Sequence, residues 1–297
     1  MARGFIGVRS SLAVGLAVVL CLTGCAAAST GGSAADNCTP MTVRTVHLAD
    51  RGAPGGVRYA QILTPPGVKD PQLLPVLYFL HGLPGAGNNV AVGRALPAFS
   101  KLFCAGSKPF LLVSPDGNAA DHSDTEWADA ADGRFDVESF VTGPLIAAVE
   151  GGHRRPPALR AIAGFSMGGF GAAELALRHR NLYGQFVSIA GYFTIDDPSG
   201  AFGRVPGAAR DADRRAHDPL WLAPAARGLR VLLVESGQDH EVLDVGQDDE
   251  LALRLRAHGA AEQSLTLDLP HTYALVAGAI PDVAAFLETG WAARNRS

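Results

Sequence analysis

The segment Gly164-Phe165-Ser166-Met167-Gly168-Gly169 sets a serine among small residues, directly after the apolar run Leu159–Ala163 and just before a helical pattern, Gly171–Arg180. A serine hydroxyl is a weak nucleophile unless it is turned sharply out of the backbone and given a base. A strand-to-helix turn does the first of these, provided that its neighbours are small, and Gly164 and Gly168 supply that room. The following helix also aims its first N–H groups and partial positive charge at the reacting centre. The context therefore predicts a nucleophile elbow with Ser166 as the attacking group.

Such a serine requires an imidazole and a carboxylate to orient it, in the chain order serine, acid, histidine. His271 fits: it follows the β-rich run Ser264–Leu269 and a proline, and it precedes a last helical pattern. His47, His81, His122 and His153 come before the serine, His179 lies on the elbow helix and His217 in an irregular stretch; His240 and His258 follow the run Val231–Val234 too closely. The acid belongs in the turn after Val231–Val234. There Asp239, past a glycine turn, is favoured; Glu235 on the strand end is the alternative and Asp244 a third. Two backbone N–H groups must stabilise the oxyanion, one from Met167 after the nucleophile and one from Leu83 in the loop Phe79–Gly85. His81 is read as a brace for that loop. Asp116, Asn118 and Trp127 are candidate rim contacts for the substrate, or ordinary loop structure. Together these groups would perform acyl transfer through a covalent intermediate on Ser166. That chemistry needs no cofactor, and no cysteine or histidine pair has metal-ligand spacing.

These residues need a scaffold, and the chain alternates β-rich runs with helical patterns from Met41 onward, as a mostly parallel sheet with helices on both faces requires. Thr42–Leu48 and Val57–Leu63 read as an opening strand pair. Pro75–Leu80, Pro109–Val113, Leu159–Gly164, Phe186–Ala190 and Val231–Val234 read as strands buried on both faces, with Ser264–Leu269 as another. Helices are expected over Val137–Val149, Asp249–His258 and Tyr273–Leu287, the last bent or interrupted at Pro281. Asp196–Gly228, with Arg204, Arg210, Arg214, Arg215 and Arg227, reads as a surface excursion rather than a cover over the site. One α/β catalytic domain over 41–297 is the economical division.

Composition agrees. The 297 residues are 47% hydrophobic and 18% charged, too apolar for a disordered chain. Lys and Arg number 25 against 29 Asp and Glu, a net charge of −4 that argues against a nucleic-acid partner. The first residues read differently. Arg3 and Arg9 precede the uncharged run Ser11–Leu22, too short to span a bilayer, so 1–24 reads as a signal peptide. Leu22-Thr23-Gly24-Cys25 resembles a lipobox, which predicts lipidation of Cys25, export and a membrane anchor. Residues 25–40 then form a flexible tether. Cys38 and Cys104 remain as an expected disulfide, worth on the order of 4 kcal/mol in the chain-entropy model.

At this point a resemblance emerges. The segments Tyr78–Gly85 (YFLHGLPG), Val113–Asn118 (VSPDGN), Glu126-Trp127, Gly164–Gly191, Ser236–Asp239 (SGQD) and Pro270–Tyr273 (PHTY) resemble the putative-esterase family of α/β-hydrolases, which includes esterase-D-like S-formylglutathione hydrolases, feruloyl esterases and mycolyltransferases. The resemblance implies the α/β-hydrolase fold, the triad Ser166, Asp239 and His271, oxyanion donors Leu83 and Met167, and a small-molecule, lipid or sugar ester as substrate. Ester hydrolysis is the expected activity, with acyl transfer to a sugar or lipid hydroxyl as the alternative. His81 stands where mycolyltransferases carry an aspartate, and Thr272-Tyr273 where many relatives place a tryptophan.

Overall fold

Five consecutive buried residues, Val76–Leu80 (VLYFL), can be hidden from water only by a strand covered on both faces, and they form β3. The computed structural model describes residues 40–83, 90–195, 197, 199–238 and 247–294. In chain order the other elements are β1 (Thr42–Ala49), β2 (Val57–Thr64), α1 (Val90–Cys104), β4 (Leu111–Pro115), α2 (Val137–Thr142), α3 (Pro144–Glu150), β5 (Arg160–Phe165), α4 (Met167–Arg178) and β6 (Gln185–Ile189). They continue with α5 (Ala208–His217), α6 (Pro219–Leu222), β7 (Arg230–Ser236), α7 (Gln247–Ala257), β8 (Ala261–Leu267) and α8 (Tyr273–Arg294).

The eight strands make one sheet in the order β1-β2-β4-β3-β5-β6-β7-β8. β1 and β2 are antiparallel to their neighbours, and every other pairing is parallel. Side-chain alternation divides the core in two. Leu77, Phe79, Ala163, Phe165, Leu232 and Val234 face α1 and α8. Tyr78, Ile162, Phe186, Val231 and Leu233 face the side of α2, α4 and α7. Each fully buried Leu, Val or Phe contributes about 1.5–3 kcal/mol relative to exposure. The expected α/β-hydrolase architecture is therefore present: a mostly parallel sheet with helices on both faces.

The chain order reverses between β3 and β5. β3 continues to β4 on one side, whereas β5 opens the run to β8 on the other. In open α/β sheets, ligands bind beyond the carboxyl ends of the strands at such a switch point. Ser166, directly after β5, lies there.

Several elements differ from the sequence expectation. The helix expected over Val137–Val149 is two, α2 and α3, because Gly143 (φ −122°, ψ −90°) leaves the helical region and Pro144 starts a new helix. α1 carries Pro97 internally and had no counterpart in the sequence reading. The irregular stretch contains α5 and α6. α8 runs through Pro281 as one helix. β8 begins at Ala261, and it is a half-exposed edge strand rather than a buried one.

Candidate active site

Ser166 is the cap residue between β5 and α4, at φ 55° and ψ −119°. Holding a non-glycine residue in such a region costs on the order of 1–3 kcal/mol, so its surroundings must impose it. They do. The Ser166 N–H donates to Ile189 O of β6 at 2.9 Å, and its carbonyl accepts the N–H groups of Gly169 at 2.7 Å and Phe170 at 3.1 Å. A Cβ on Gly164 would lie 2.0 Å from Gly168 O, and one on Gly168 would lie 2.3 Å from Leu80 O, so the two glycines let α4 close onto β5 and β3. Met167 is the first residue of α4, and its N–H belongs to the first-turn donors that have no intrahelical acceptor.

The loop after β3 passes directly over this turn. A Cβ on Gly82 would sit 3.1 Å from Ser166 Cβ and 2.9 Å from Phe165 O. His81 is buried and holds the loop from beneath: its Nε2 accepts the Gly117 N–H at 2.9 Å, which requires the Nδ1-protonated tautomer, and Nδ1 donates to Gly82 O at 3.0 Å. Because C=O and N–H of a trans peptide point opposite ways, fixing the Gly82 carbonyl toward His81 turns the Leu83 N–H away from it. The Leu83 side chain is exposed, and Pro84 and Gly85 lie outside the described residues.

His271 reaches the same place from the loop after β8. Its imidazole lies 4.9 Å, centroid to centroid, from the ring of Phe165, the residue preceding Ser166. Tyr273 packs on that ring at 5.2 Å. Thr272 caps α8 by accepting the Ala274 N–H on Oγ1, and its own N–H donates to Pro270 O at 2.7 Å.

The turn after β7 is tied to the His271 loop. Ser236 Oγ donates to Leu269 O at 2.6 Å, the Gly237 N–H to Leu267 O at 2.7 Å, and Gln238 Nε2 to Asp268 Oδ1 at 2.9 Å. Asp239 and Asp244 lie outside the described residues, as do Cys25 and Cys38; Cys104 ends α1. Gln247 Oε1 accepts the N–H groups of Phe193 at 2.5 Å and Thr194 at 2.8 Å, fixing the start of α7 to the loop after β6. Glu235 alternates with Val234 and so faces α7, where burial and the charge of Asp249 raise its carboxyl above the usual range, opposed by a hydrogen bond that the Thr266 hydroxyl donates to it. His271 packs on the opposite, α8-facing side through Phe165 and Tyr273.

The three candidate rim residues differ in exposure. Trp127 is fully buried, with its Nε1 donating to His81 O at 3.1 Å and its ring packed against Gly117 and Gly171. Asp116 is buried too. Burial favours its neutral form, but the Asn118 N–H and the Arg58 guanidinium counter this, and its carboxyl is held below the usual range. Asn118 is half-buried and spends its side-chain amide on Asp116 Oδ1. Asn118 stays partly exposed, whereas Asp116 lies buried near the His81 ring and Trp127 forms part of the wall beneath that loop. Beside it, Glu126 is buried and accepts the Tyr192 hydroxyl, while burial and Asp124 push its carboxyl well above the usual range. Tyr192 stacks on Phe170, one turn into α4.

Among the described residues, Glu138, Glu174 and His217 are the group whose potential ligand atoms come within 4.8 Å of one another. Arg178 Nε lies 2.9 Å from Glu138 and 3.5 Å from Glu174, so a guanidinium already balances these carboxylates. His217 Nδ1 meets Glu174 Oε1 at 2.6 Å, and His179 Nε2 meets Glu138 Oε1 at 2.6 Å. The group ties α2 and α5 to the elbow helix. No helix among the described residues is long and apolar enough to cross a membrane.

Comparison with known proteins accords with this geometry. Over 120 residues, 40% of the chain, the sequence is 32% identical to Esterase Rv1288 and to Esterase MT1326, from two strains of Mycobacterium tuberculosis; the match spans a quarter of the length of these relatives. In fold, the chain resembles a ferulic acid esterase (TM-score 0.68, 19% identity, covering 84% of this chain and 99% of that one). It also resembles an S-formylglutathione hydrolase from Agrobacterium tumefaciens (TM-score 0.65, 20% identity, 84% and 95%). A third similar fold is the fluorophosphonate-binding serine hydrolase FphF of Staphylococcus aureus (TM-score 0.60, 18% identity, 84% and 99%). A family model described as "Putative esterase" matches residues 52–280, which carry the elbow, the His81 loop and His271. With an elbow serine at the switch point of such a sheet and that match over most of its length, the chain belongs to this esterase family.

Proposed function

We propose that the enzyme cleaves small carboxylic esters through an acyl-enzyme on Ser166, outside the cytoplasm. The observation that carries the reading is the 4.9 Å approach of the His271 ring to Phe165, which brings the histidine expected from chain order against the elbow turn. His271 takes the Ser166 proton as the hydroxyl attacks the ester carbonyl, and then returns it to the leaving alcohol. The N–H groups of Leu83 and Met167 stabilise the oxyanion, Asp239 orients the imidazole, and water releases the acid. Asp239 is preferred to Glu235 because Glu235 faces α7, whereas the turn carrying Gln238 leads off β7 beside the His271 loop.

The reading of export rests on the leader pattern through Cys25, with a Cys38–Cys104 disulfide pinning the tether. Thr42 pairs with Thr64, and Leu63 with Leu112, so the described chain starts at the amino edge of the parallel strands, opposite Ser166.

A fluorophosphonate probe tests the chemistry: wild type should be labelled and the Ser166→Ala variant should not. An unlabelled wild type that also leaves p-nitrophenyl acetate to decanoate intact would sink the reading. For anchoring, a Cys25→Ala protein should leave the membrane fraction, and its retention there would contradict the lipid anchor.

A further inference from the structure

Phe165 does more than end β5. Strand alternation turns its side chain toward the α8 face together with Ala161 and Ala163, and only 6% of it is exposed. Three structures meet on this one ring. The His271 imidazole lies 4.9 Å away at an interplanar angle of 46°, and the Tyr273 ring lies 5.2 Å away at 51°. On a further side, a Cβ placed on Gly82 would be 3.3 Å from Phe165 Cδ1, so the loop that carries Leu83 also rests on the ring.

We infer that Phe165 is a positioning residue for both halves of the proposed machinery, setting the plane of the His271 imidazole and the height of the Gly82–Leu83 peptide above Ser166. This rests on the reading of Ser166 and His271 given above. The physical argument is one of shape. Ring faces tilted near 50° fix orientation as well as distance, since aromatic pairs prefer offset or edge arrangements. A branched aliphatic of similar volume would fill the space without dictating the angle of its neighbour. His271 must present one nitrogen to the serine and the other to its acid, so rotation of the ring plane disrupts both contacts at once. Misplacement of reacting groups by about 1 Å can cost on the order of a hundredfold in rate. The backbone around His271 is held by the Thr272 N–H to Pro270 O bond and the Thr272 cap, and Phe165 contacts the imidazole ring itself.

The test compares Phe165→Leu, which keeps apolar volume, with Phe165→Tyr and Phe165→His, which keep a flat ring, using p-nitrophenyl acetate and burst kinetics in the full chain. Phe165→Leu should lower kcat about 10- to 100-fold, and the burst rate with it, while KM stays within about threefold; at least one ring variant should recover to within about threefold of wild type. Wild-type kcat in Phe165→Leu, a loss confined to KM, or both ring variants as slow as leucine would overturn the inference. Should Phe165→Leu fail to fold by circular dichroism, Phe165→Met carries the same comparison. Ser166→Ala separates the two levels of the account. If it stays as active as wild type, the reading of Ser166 fails; if it is inactive while Phe165→Leu is unimpaired, only the positioning role fails.

Discussion

Ser236 Oγ donates to the carbonyl oxygen of Leu269 at 2.6 Å, joining the turn that leaves β7 to the loop that presents His271. The two segments come from different strands, and the bond lies between the place where the acid is expected and the base it would serve. Replacing Ser236 by alanine removes one hydrogen bond, worth about 0.5–1.5 kcal/mol, from a half-buried site. Ser236→Ala should therefore unfold at slightly lower urea and show kcat reduced about three- to tenfold at nearly constant KM. A kcat equal to wild type, measured with p-nitrophenyl acetate, would show that the coupling of the two loops is immaterial to the reaction.

His81 supports the loop before Leu83 without touching the reacting atoms in the proposed mechanism. His81→Ala leaves the Gly117 N–H and the Gly82 carbonyl without their buried partner and opens a cavity beneath Trp127. The expected cost is about 2–4 kcal/mol in urea denaturation. With the Gly82–Leu83 peptide free to turn, kcat should fall about tenfold or more. His81→Asn, which keeps a donor near the Nδ1 position, should restore part of both. Equal losses in the alanine and asparagine variants would contradict the tautomer assigned from the two hydrogen bonds.

Trp127 offers a test of wall against rim. Phenylalanine there loses the Nε1 bond to His81 O and part of a fully buried ring, so Trp127→Phe should be destabilised by about 1–3 kcal/mol. KM across acetate, butyrate and octanoate esters should stay within about twofold of wild type in the folded variant. A change in chain-length preference would restore Trp127 to the substrate surface.

The Glu174–His217 pair makes stability depend on pH in a stated direction. Complete burial raises Glu174 from 4.5 to about 7, so the folded state holds this proton more tightly than the unfolded chain does. Burial opposes the charge on His217, but contact with Glu174 outweighs it and raises the imidazole as well. Groups raised on folding stabilise most below their unfolded values and lose that contribution as pH rises through the folded ones. Stability should thus decline as pH is raised from about 5 to 8, and Glu174→Gln should flatten that decline by on the order of 1–2 kcal/mol. Urea midpoints across this range measure it, and parallel curves for the two proteins would contradict the role given to Glu174.

Much of the candidate site is legible in the sequence, for physical reasons that differ by residue. Ser166 was legible because its small neighbours and its strand-then-helix context are contiguous in the chain. The central strands were legible because burial on both faces demands unbroken apolar runs, as in Val76–Leu80. His271 is legible because it comes after the serine and stands between the run Ser264–Leu269 and the last helical pattern. α1 escaped because Pro97 interrupts a helical pattern whose Ala95, Phe99 and Phe103 nevertheless share the core-facing stripe. The burial of Trp127 escaped because it depends on Gly117 and Gly171, which come together only in the fold. The orientation of Glu235 could have been inferred from strand parity: it alternates with Val234 and so shares the face of Leu233. Phe165 carried no signal, since its partners lie in two other loops.

The central claim is that an acyl group is carried on Ser166. Peptide mapping by mass spectrometry after rapid acid quench of the enzyme with p-nitrophenyl acetate tests it most directly. The account predicts one acetyl increment on the peptide containing Ser166, formed within the burst, lost on turnover and missing in Ser166→Ala. Hydrolysis at full rate with no adduct on that peptide, or with the adduct on another residue, would contradict it.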